Sequence, residues 1–393
     1  MRILFYLPTV TPWWFDNIVV HLIEKLAGAA EVHVLAPPLW CNTGVGPDQL
    51  GNAARLPDVR WHIVDGDTHE SLRTVPSDRQ ALLDFVHVIA PDYTICRSAD
   101  AVTPASFPGT VVSIMEAGAP PLPIPNHWVI FQRDLWHHGA MPELSAAERL
   151  QIDAGFGEAW SSLNDLFAQA RAFVAPREHA LTKLGLPADR KVLVLPLEYS
   201  HQENFYSIHH GFQRNTDLIE HIAATMNDDF VLAITDHPLN HLYVDNREVL
   251  DIISALNGRA TLIDNSIGNG VITNILIKHC DGLIVQNSKA IYAGAFFGTP
   301  TLRLARRPTA PWLCTADTLV SFLDGVRTGT APVASRADVR TWFGFHALHE
   351  LIDPSAATAA ELLDRLQRPF AAERLVAGQA SLASGEHILS AAA

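Results

Sequence analysis

The sequence predicts an α/β protein built from two successive halves, each with a mostly parallel sheet. Short apolar segments of strand length alternate with helical patterns, and this alternation restarts after a polar segment at 176–190. Strands that alternate with helices are typical of βαβ units and a parallel sheet. The chain has 393 residues, which is long for a single hydrophobic core, so two domains are expected.

The first half begins with an apolar strand at 3–7 and a helix at 13–26, where apolar residues recur at helical spacing. Further strands are predicted at short apolar segments that end in polar, Gly or Pro residues: 31–35, 59–64, 93–96, 111–115 and 128–131. A long helical pattern follows at about 146–170. We therefore predict an N-terminal Rossmann-like domain over 1–180.

The second half repeats the pattern after the polar segment. Its predicted strands are 192–197, 230–234, 260–263, 283–285 and 301–304, with helices at 218–226, 271–279 and 289–297. We predict a second Rossmann-like domain over 181–335. The remaining residues, 336–393, are helical by pattern at 339–351 and 356–366, and we expect this tail to pack back on the first domain.

Composition excludes several classes of protein. The formal net charge of −14 argues against binding of nucleic acid, because phosphate contacts need clustered Lys and Arg. Four scattered cysteines without a C-x-x-C motif argue against disulfides and zinc, and they fit a reducing compartment. No window approaches the ~18–20 apolar residues of a membrane span. The first apolar segment is too short for a signal peptide, so we expect a cytoplasmic protein.

The most informative segment is D-G-L-I-V-Q-N-S-K-A-I-Y-A-G-A-F-F-G-T-P at 281–300, which predicts a strand, a polar turn and a helix. Asn287 and Ser288 can cap this helix, whose first N–H groups and dipole favour an anion. The turn follows a parallel strand, where open α/β sheets bind ligands. Since G-x-G-x-x-G and G-K-[ST] are absent, we predict a nucleotide-sugar phosphate site formed by Gln286, Asn287, Ser288 and Lys289.

A second candidate is the I-T-D-H-P-L segment, which directly follows an apolar strand. Pro238 restricts the backbone, biases His237 away from helix and thereby aims it, or the Asp236 carboxylate, from the end of the strand. Strand ends of this kind are privileged positions for ligand binding. The alternative is a loop histidine that caps a turn.

A third candidate is Glu116 in S-I-M-E-A-G-A-P-P, after a strand of the first half. A carboxylate on such a loop can act as a general base or acid, or it can be an ordinary exposed residue. His137 and His138 further along are adjacent, so they do not both face one metal site from a strand.

Two loops of the second half add candidates. The polar segment L-P-L-E-Y-S-H-Q-E-N at 195–204 offers Glu198 and Glu203, although no spacing in it matches a metal-ligand set. D-N-S-I-G-N-G at 264–270 offers Asn269 at a predicted helix start, with an ordinary βα connection as the equal alternative. We predict no metal ligands.

Taken in order, E-x-G after a strand, H-P after a strand and N-S-K-A-I-Y-A-G-A-F-F-G-T-P resemble motifs of the GT-B capsule-polysaccharide glycosyltransferases. These include bacterial transferases of 3-deoxy-D-manno-octulosonic acid (Kdo) that use CMP-Kdo. The resemblance spans about 110–305 and is strongest over 229–302. It implies two Rossmann-like domains that face each other across a cleft, with the acceptor on the N-terminal domain and the donor on the C-terminal one.

Carried over to this sequence, the resemblance implies that His237 and Ser288 contact the cytidine monophosphate and that Glu116 is a catalytic carboxylate. In retaining Kdo enzymes a carboxylate in the loop after the first strand of the second domain is implied to be the nucleophile. Here that loop reads E-Y-S-H-Q-E where family members commonly have Gln-Val, and Glu203 is the candidate. Retention or inversion therefore stays open.

The expected function is transfer of Kdo or a related acidic sugar from a CMP-activated donor to a glycan or glycolipid acceptor in surface-polysaccharide synthesis. No cofactor beyond the nucleotide-sugar donor is expected. We also expect the protein at the inner face of the membrane, in peripheral association with assembly machinery. The alternatives are a UDP- or GDP-sugar transferase, a nucleotide-sugar epimerase, and a non-catalytic scaffold of the same fold.

Overall fold

A computed structural model gives the structure of residues 1–377 apart from 54, 55, 57, 64–68 and 265–271. The chain divides into two compact units. The first comprises Met1–Gly118, Ile124–Leu135 and Glu350–Ala371, and the second comprises Ala119–Pro123, Trp136–His349 and a segment that begins at Ala372. Each unit contains a largely parallel sheet with helices, so the predicted fold class of two Rossmann-like α/β units is confirmed.

The first unit is built on a six-stranded sheet of order β3-β2-β1-β4-β5-β6. Only β6 is antiparallel to its neighbour among these strands. The strands are β1 (Arg2–Tyr6), β2 (Glu31–Ala36), β3 (Val59–Ile63), β4 (Tyr93–Cys96), β5 (Thr110–Glu116) and β6 (Val129–Gln132). Near-continuous apolar strands are expected for a sheet buried on both faces, and β1 and β2 fit this rule.

Helices connect these strands: α1 (Pro12–Trp14), α2 (Val20–Ala27), α3 (Pro47–Ala53), α4 (His69–Thr74) and α5 (Arg79–Ile89). A π-helical segment, Phe15–Val19, joins α1 to α2, so the predicted helix at 13–26 is a single helical run with a wider middle turn. The apolar face of this run packs on the sheet through Phe15, Leu22 and Leu26, which are fully buried.

The second unit is built on a five-stranded, fully parallel sheet of order β11-β10-β7-β8-β9. The strands are β7 (Lys191–Pro196), β8 (Phe230–Thr235), β9 (Ala260–Ile263), β10 (Gly282–Val285) and β11 (Thr301–Arg303). The helices that precede and connect them are α6 (Ala146–Gln169), α7 (Arg171–Val174), α8 (Arg177–Lys183), α9 (Asn215–Thr225), α10 (Pro238–Tyr243), α11 (Arg247–Ala255), α12 (Ile272–His279) and α13 (Ala290–Phe297). Two more, α14 (Leu319–Thr328) and α15 (Arg336–Phe345), follow β11.

The division of the chain differs from the predicted boundary at residue 180. The long helix α6 begins at a capping box formed by Ser145 and Glu148, and it belongs to the second unit. There Trp160 of α6 packs edge-on against Phe296 and close to Phe343 of α15. Aromatic contacts of this kind bury large apolar areas, which explains why α6 groups with the second sheet rather than the first.

The C-terminal segment also divides differently from the predicted tail at 336–393. Helix α15 belongs to the second unit, whereas α16 (Ala359–Gln367) belongs to the first. In the first unit Ile352 pairs with Val129 of β6, and Leu362 and Leu366 are fully buried in the core of the sheet. A last helix, α17 (Ala372–Ala377), lies in the second unit. No helix in the described ranges is both long and apolar enough to cross a membrane.

Candidate active site

The carboxyl edge of the second sheet gathers most of the predicted site residues. From β7 the chain proceeds to β8 and β9 on one side, and then β10 and β11 add on the other side. β7 and β10 are therefore neighbours whose following loops lead in opposite directions. Such a topological switch point opens a crevice outside the strand ends, where open α/β sheets bind ligands.

The turn 286–289 leaves β10 at this switch point and leads into α13. The helix begins at Ala290, one residue later than predicted, with Lys289 at its N-cap position. Of the two predicted caps, Ser288 accepts a helix N–H: its Oγ lies 3.3 Å from the Ala290 nitrogen. The Asn287 side chain instead turns its Oδ1 to the Arg303 guanidinium, 3.0 Å away.

The N–H groups assigned to phosphate are already engaged by a side chain of the protein. The Asn287 N–H donates to Oε1 of Glu198 at 2.7 Å, and the Ser288 N–H donates to the same carboxyl. The Glu198 side chain is 11% exposed. Burial raises its pKa to about 7, against the opposing effects of the two N–H groups and of Arg303. The turn is thus an anion site that holds an internal carboxylate.

The backbone of Glu198 is fixed by two buried asparagines. Asn215 of α9 accepts the Glu198 N–H at 3.3 Å and donates to its carbonyl at 2.9 Å. Asn240 of α10 donates to the same carbonyl at 3.0 Å. These bonds satisfy buried backbone groups just past a strand end, so they hold the Cα position of Glu198 while leaving the side-chain torsions to the carboxyl contacts.

Arg303, the last residue of β11, holds the other side of the turn. Its guanidinium donates to the carbonyl oxygens of Gln286 (3.0 Å), Arg307 (3.0 Å), Pro308 (2.6 Å) and Trp136 (3.1 Å), and to side-chain oxygens of Thr309 and Asn287. Burial lowers its pKa to about 10, so it stays charged at neutral pH. This cation is used to brace backbone rather than to pair a carboxylate directly.

The buried side chain of His138 packs against the turn 286–289. Its Nε2 lies 3.1 Å from the Asn287 carbonyl oxygen and its Nδ1 lies 3.0 Å from the Tyr292 hydroxyl. A carbonyl only accepts, so Nε2 carries the proton and Nδ1 accepts from Tyr292, whose oxygen also receives the Gly139 N–H. Burial, with nearby Arg303, holds the His138 pKa well below its usual range, so the ring is neutral.

His237 lies past the end of β8, on the other side of β7. Since neighbouring strands are about 4.8 Å apart, it starts roughly 10 Å along the sheet from the turn 286–289. Its ring caps α10: Nδ1 accepts the Leu239 N–H at 3.2 Å, and Pro238 occupies the first helical position, as Pro often does. Burial lowers the His237 pKa, with Asp236 opposing, which favours the neutral ring.

Asp236 shapes this loop. Its Oδ1 accepts the His237 N–H at 2.9 Å and the Asn240 side-chain amide at 2.8 Å, while Oδ2 accepts from Asn246 at 2.6 Å. These bonds position His237 and Asn240 together. In the structure Asp236 therefore supports the loop. The ligand-facing role that the sequence predicted for it stays a prediction.

Glu203 lies on the surface of the loop that follows β7, with its side chain 27% exposed. Its N–H donates to His201 Nδ1 at 3.2 Å, and the His201 ring stacks on Tyr199. Tyr199 also packs against His237, with ring centroids 5.5 Å apart. The rings of His201 and Tyr199 thus lie between Glu203 and His237. Glu198 is the buried carboxylate of the same loop.

The remaining predicted residues are Glu116, which belongs to the first unit, and Asn269. Glu116 ends β5 of the first unit, where its Oε1 accepts from Arg97 at 2.7 Å; the Arg97 guanidinium lies 3.7 Å from the centre of the Trp14 ring. Asn269 lies outside the described residues. Within the described part of the chain, no group of three or more His, Cys, Asp or Glu side chains is placed to hold a metal ion.

Three contacts that hold the turn together were not predicted from the sequence: the inward position of Glu198, which was one of two candidate carboxylates in its loop, the bracing guanidinium of Arg303, and the buried ring of His138. Two had a visible signal. Glu198 directly follows the apolar run V-L-V-L-P-L, and Arg303 interrupts the apolar T-L-R-L. A charged residue at a strand position is rarely buried without partners, so each pointed to a polar cluster. His138 carried no such signal.

No family model matches the chain, and no curated protein matches it either. Among solved structures, it is similar to two KpsC transferases from Thermosulfurimonas dismutans. The β-Kdo 2,7 transferase aligns with a TM-score of 0.45 at 10% identity, over 96% of this chain and 99% of that one. The β-Kdo 2,4 transferase aligns with a TM-score of 0.43 at 10% identity, over 93% and 97%.

A third similar structure is the lipopolysaccharide outer core galactosyltransferase WaaB, with a TM-score of 0.36 at 11% identity over 94% of this chain and 100% of that one. These neighbours are glycosyltransferases, the class of protein that the sequence motifs resemble. Because every one of these TM-scores is below 0.5, the function of this chain is inferred from its own site residues.

Proposed function

We propose that this protein is a glycosyltransferase that takes its sugar from a nucleotide-activated donor. The observation that carries the proposal is the carboxyl edge of the second sheet. There the turn 286–289, with its anion-binding N–H groups, follows β10 at the switch point, and the D-H-P loop follows β8 on the other side of β7. A helix start at a switch point is suited to a donor phosphate.

The donor we propose is a CMP-activated sugar, Kdo or a related acidic sugar, and the acceptor is a glycan or glycolipid of a surface polysaccharide. This assignment rests on the resemblance of the E-x-G, H-P and N-S motifs. Gln286, Asn287, Ser288 and Lys289 would hold the phosphate, with Asp236, His237, Pro238 and Asn269 lining the nucleotide. The second unit is then the donor domain and the first, which carries Glu116, the acceptor domain.

In the proposed reaction the bond between the anomeric carbon and the donor phosphate oxygen breaks through an oxocarbenium-like transition state, and the nucleotide leaves with the electron pair. Helix N–H groups and the His237 ring stabilise the departing phosphate. In an inverting reaction Glu116 takes the proton of the acceptor hydroxyl. In a retaining reaction Glu203 first forms a covalent glycosyl ester, which the acceptor then displaces.

We propose that CMP departs without a metal ion, since helix dipole and hydrogen bonds offset the phosphate charge. The protein would work in the cytoplasm, at the inner face of the membrane beside the machinery that assembles the polysaccharide. A UDP- or GDP-sugar donor, epimerisation of a nucleotide sugar and a non-catalytic scaffold are the other outcomes that experiment can return.

The test is a thermal-shift comparison of CMP, UDP and GDP, followed by a transfer assay with the nucleotide that binds. A ligand stabilises by about 2.7 kcal/mol at a hundredfold excess over Kd, so the preferred nucleotide raises Tm visibly. Ser288→Ala should weaken that nucleotide by roughly 10–150-fold, the equivalent of a hydrogen bond to a charged group. Glu220→Gln, an exposed change on α9, is the control and should bind as the wild type does.

A Tm shift with UDP or GDP instead of CMP would change the assigned donor and leave the proposed class of enzyme in place. Conversion of the sugar without an acceptor would indicate an epimerase. If none of the three nucleotides shifts Tm, the glycosyltransferase proposal fails and the scaffold alternative gains support.

A further inference from the structure

The turn that we assign to the donor phosphate is filled, in this structure, by a carboxylate from the neighbouring loop. Oε1 of Glu198 lies 2.7 Å from the Asn287 nitrogen, and the carboxyl also accepts the Ser288 N–H. These two N–H groups therefore bind a carboxylate already. A carboxylate and a phosphate oxygen compete for the same donors, because both are anionic acceptors.

Two further donors in the same turn lack partners within the described part of the chain. The side-chain nitrogens of Gln286 and Asn287 are buried and unbonded, although these residues are only 1% and 3% exposed. Their amide oxygens are used by the Phe212 N–H and by Arg303, which fixes the orientation of both amides. Buried donors without partners are costly, and a ligand with several acceptor oxygens would satisfy them.

We propose that Glu198 is an internal competitor for the donor phosphate: its carboxyl occupies the anion site of the turn 286–288 when the donor is absent and must leave it, or take up a proton, when the phosphate binds. This inference rests on the proposed function in taking the bound anion to be the donor phosphate. It makes Glu198 a positioning residue that couples donor binding to a proton.

The attachment of Glu198 suits such an exchange. Its backbone is held on both sides by Asn215 and Asn240, so the loop keeps its place. The carboxyl is held in the turn by hydrogen bonds from the N–H groups of Asn287 and Ser288. A change in the side-chain torsions alone therefore clears the site.

The charges around the carboxyl decide which form it takes. His210 Nε2 lies 3.9 Å from Oε2, but burial, with nearby His209, lowers the His210 pKa to about 4, so this ring is neutral above that pH. Arg303, on the far side of the turn, gives its N–H groups to backbone and amide oxygens. Direct neutralisation of the carboxylate is therefore weak, and a second anion at the turn favours its protonated form.

The remaining titratable groups lie at the edges of this cluster. His138 under the turn is neutral, for the reasons given above. Lys289 follows the turn as a cation, and Tyr199, His201 and Glu203 belong to the same loop as Glu198. Of these, Lys289 favours any anion at the turn, whether carboxylate or phosphate, and so does not change the preference of the turn between the two.

The pH dependence follows from the protonation of Glu198. If the anion binds only when Glu198 is protonated, affinity is reduced by the factor 1 + 10^(pH − pKa). With the pKa at about 7, the affinity of the wild type is almost unreduced at pH 6 and about tenfold lower at pH 8. Gln resembles the protonated carboxyl in shape and charge, so Glu198→Gln should abolish this dependence.

The experiment measures the Kd of sulfate and of the nucleotide that binds best, from pH 6 to pH 9, for the wild type, Glu198→Gln and the control Glu220→Gln. Sulfate keeps the same charge throughout. We expect Glu198→Gln to bind both anions about tenfold more tightly than the wild type at pH 8 and equally at pH 6. Glu220→Gln removes one exposed carboxylate and should follow the wild type.

Equal pH profiles in all three proteins, or weaker binding by Glu198→Gln, would overturn the inference. Should Glu198→Gln fold poorly, the wild type decides alone: a sulfate Kd that is constant from pH 6 to pH 9 contradicts a competing carboxylate. The two proposals fail separately. If no nucleotide binds any variant, the proposed function is lost, while the sulfate profiles still show whether Glu198 competes for the site.

Discussion

Each sheet carries a carboxylate at its carboxyl edge, and the two carboxylates are held in different ways. Glu116 in the first unit is paired with Arg97 at 2.7 Å, and its side chain is 37% exposed. Glu198 in the second unit is 11% exposed and receives backbone N–H groups instead of a cation. The ion pair with Arg97 offsets the charge of Glu116, whereas burial raises the pKa of Glu198 to about 7.

The contrast teaches that position at a sheet edge does not define a role. A carboxylate paired with arginine keeps its charge and can accept a proton or orient a hydroxyl. A buried carboxylate on two N–H groups can exchange with another anion, or change its charge near neutral pH. The two arginines also differ, since Arg97 pairs with the Glu116 carboxylate besides one backbone carbonyl, whereas Arg303 donates mainly to backbone carbonyls.

The largest expected effect is on turnover, through the carboxylate of the first sheet. Glu116→Gln keeps the shape and a hydrogen bond to Arg97 but removes the base, so turnover should fall roughly 10²–10⁴-fold. Steady-state kinetics with the identified donor measure this, with Glu24→Gln, an exposed change on α2, as the control. A loss with Glu203→Gln as well would indicate retention, while full activity of Glu116→Gln would remove the first sheet edge from the mechanism.

The next effect is on stability, through the two arginines. Arg303→Met leaves several buried carbonyl oxygens without donors and should cost about 3–5 kcal/mol of unfolding free energy. Arg97→Met removes the ion pair with Glu116, one hydrogen bond to the Ile114 carbonyl and a ring contact, and it should cost less, about 1–3 kcal/mol. Urea unfolding compares the two, with the exposed Arg306→Met expected to change stability by less than about 0.5 kcal/mol. Equal losses at both sites would contradict the bracing assigned to Arg303.

The smallest effect is the pH dependence of stability at Glu198. Its pKa is about 7 in the folded protein and about 4.5 in an unfolded chain, so the unfolded state loses the proton first as pH rises. The free energy of unfolding of the wild type therefore decreases as pH rises from about 4.5 to about 7. Glu198→Gln should be more stable than wild type above pH 7 by on the order of 1–3 kcal/mol, with the gain vanishing near pH 4.

Thermal unfolding across this pH range checks the sign. Glu116→Gln is the matched carboxylate of the other sheet and should show no such gain, because it gives up an ion pair. If the stability of Glu198→Gln relative to the wild type decreases from pH 5 to pH 8, the N–H contacts outweigh burial.

The sequence was sufficient to predict most of the strands and the turn that follows β10. Apolar runs predicted 230–234 and 283–285, and the structure has Phe230–Thr235 and Gly282–Val285. These succeed because a buried parallel strand has a local signature of apolar residues between polar breaks. The predicted turn after β10 lies at the switch point for the same reason.

What the sequence did not reveal depends on distant pairing. The bond from Asn287 to Glu198 joins residues 89 positions apart and exists only because β10 lies beside β7. Likewise, α6 belongs to the second unit because its apolar face meets α15, far along the chain. Periodicity identifies each element, but it does not say which elements meet.

The most direct test of the account is a crystal structure of the protein with the nucleotide that gives the largest thermal shift. The account predicts the nucleotide phosphate within hydrogen-bond distance of the Asn287 and Ser288 nitrogens, about 2.7–3.2 Å. It also predicts the Glu198 carboxyl displaced, or bonded to the phosphate as its protonated form. A phosphate bound elsewhere, with the Glu198 carboxyl still on both N–H groups, would contradict it.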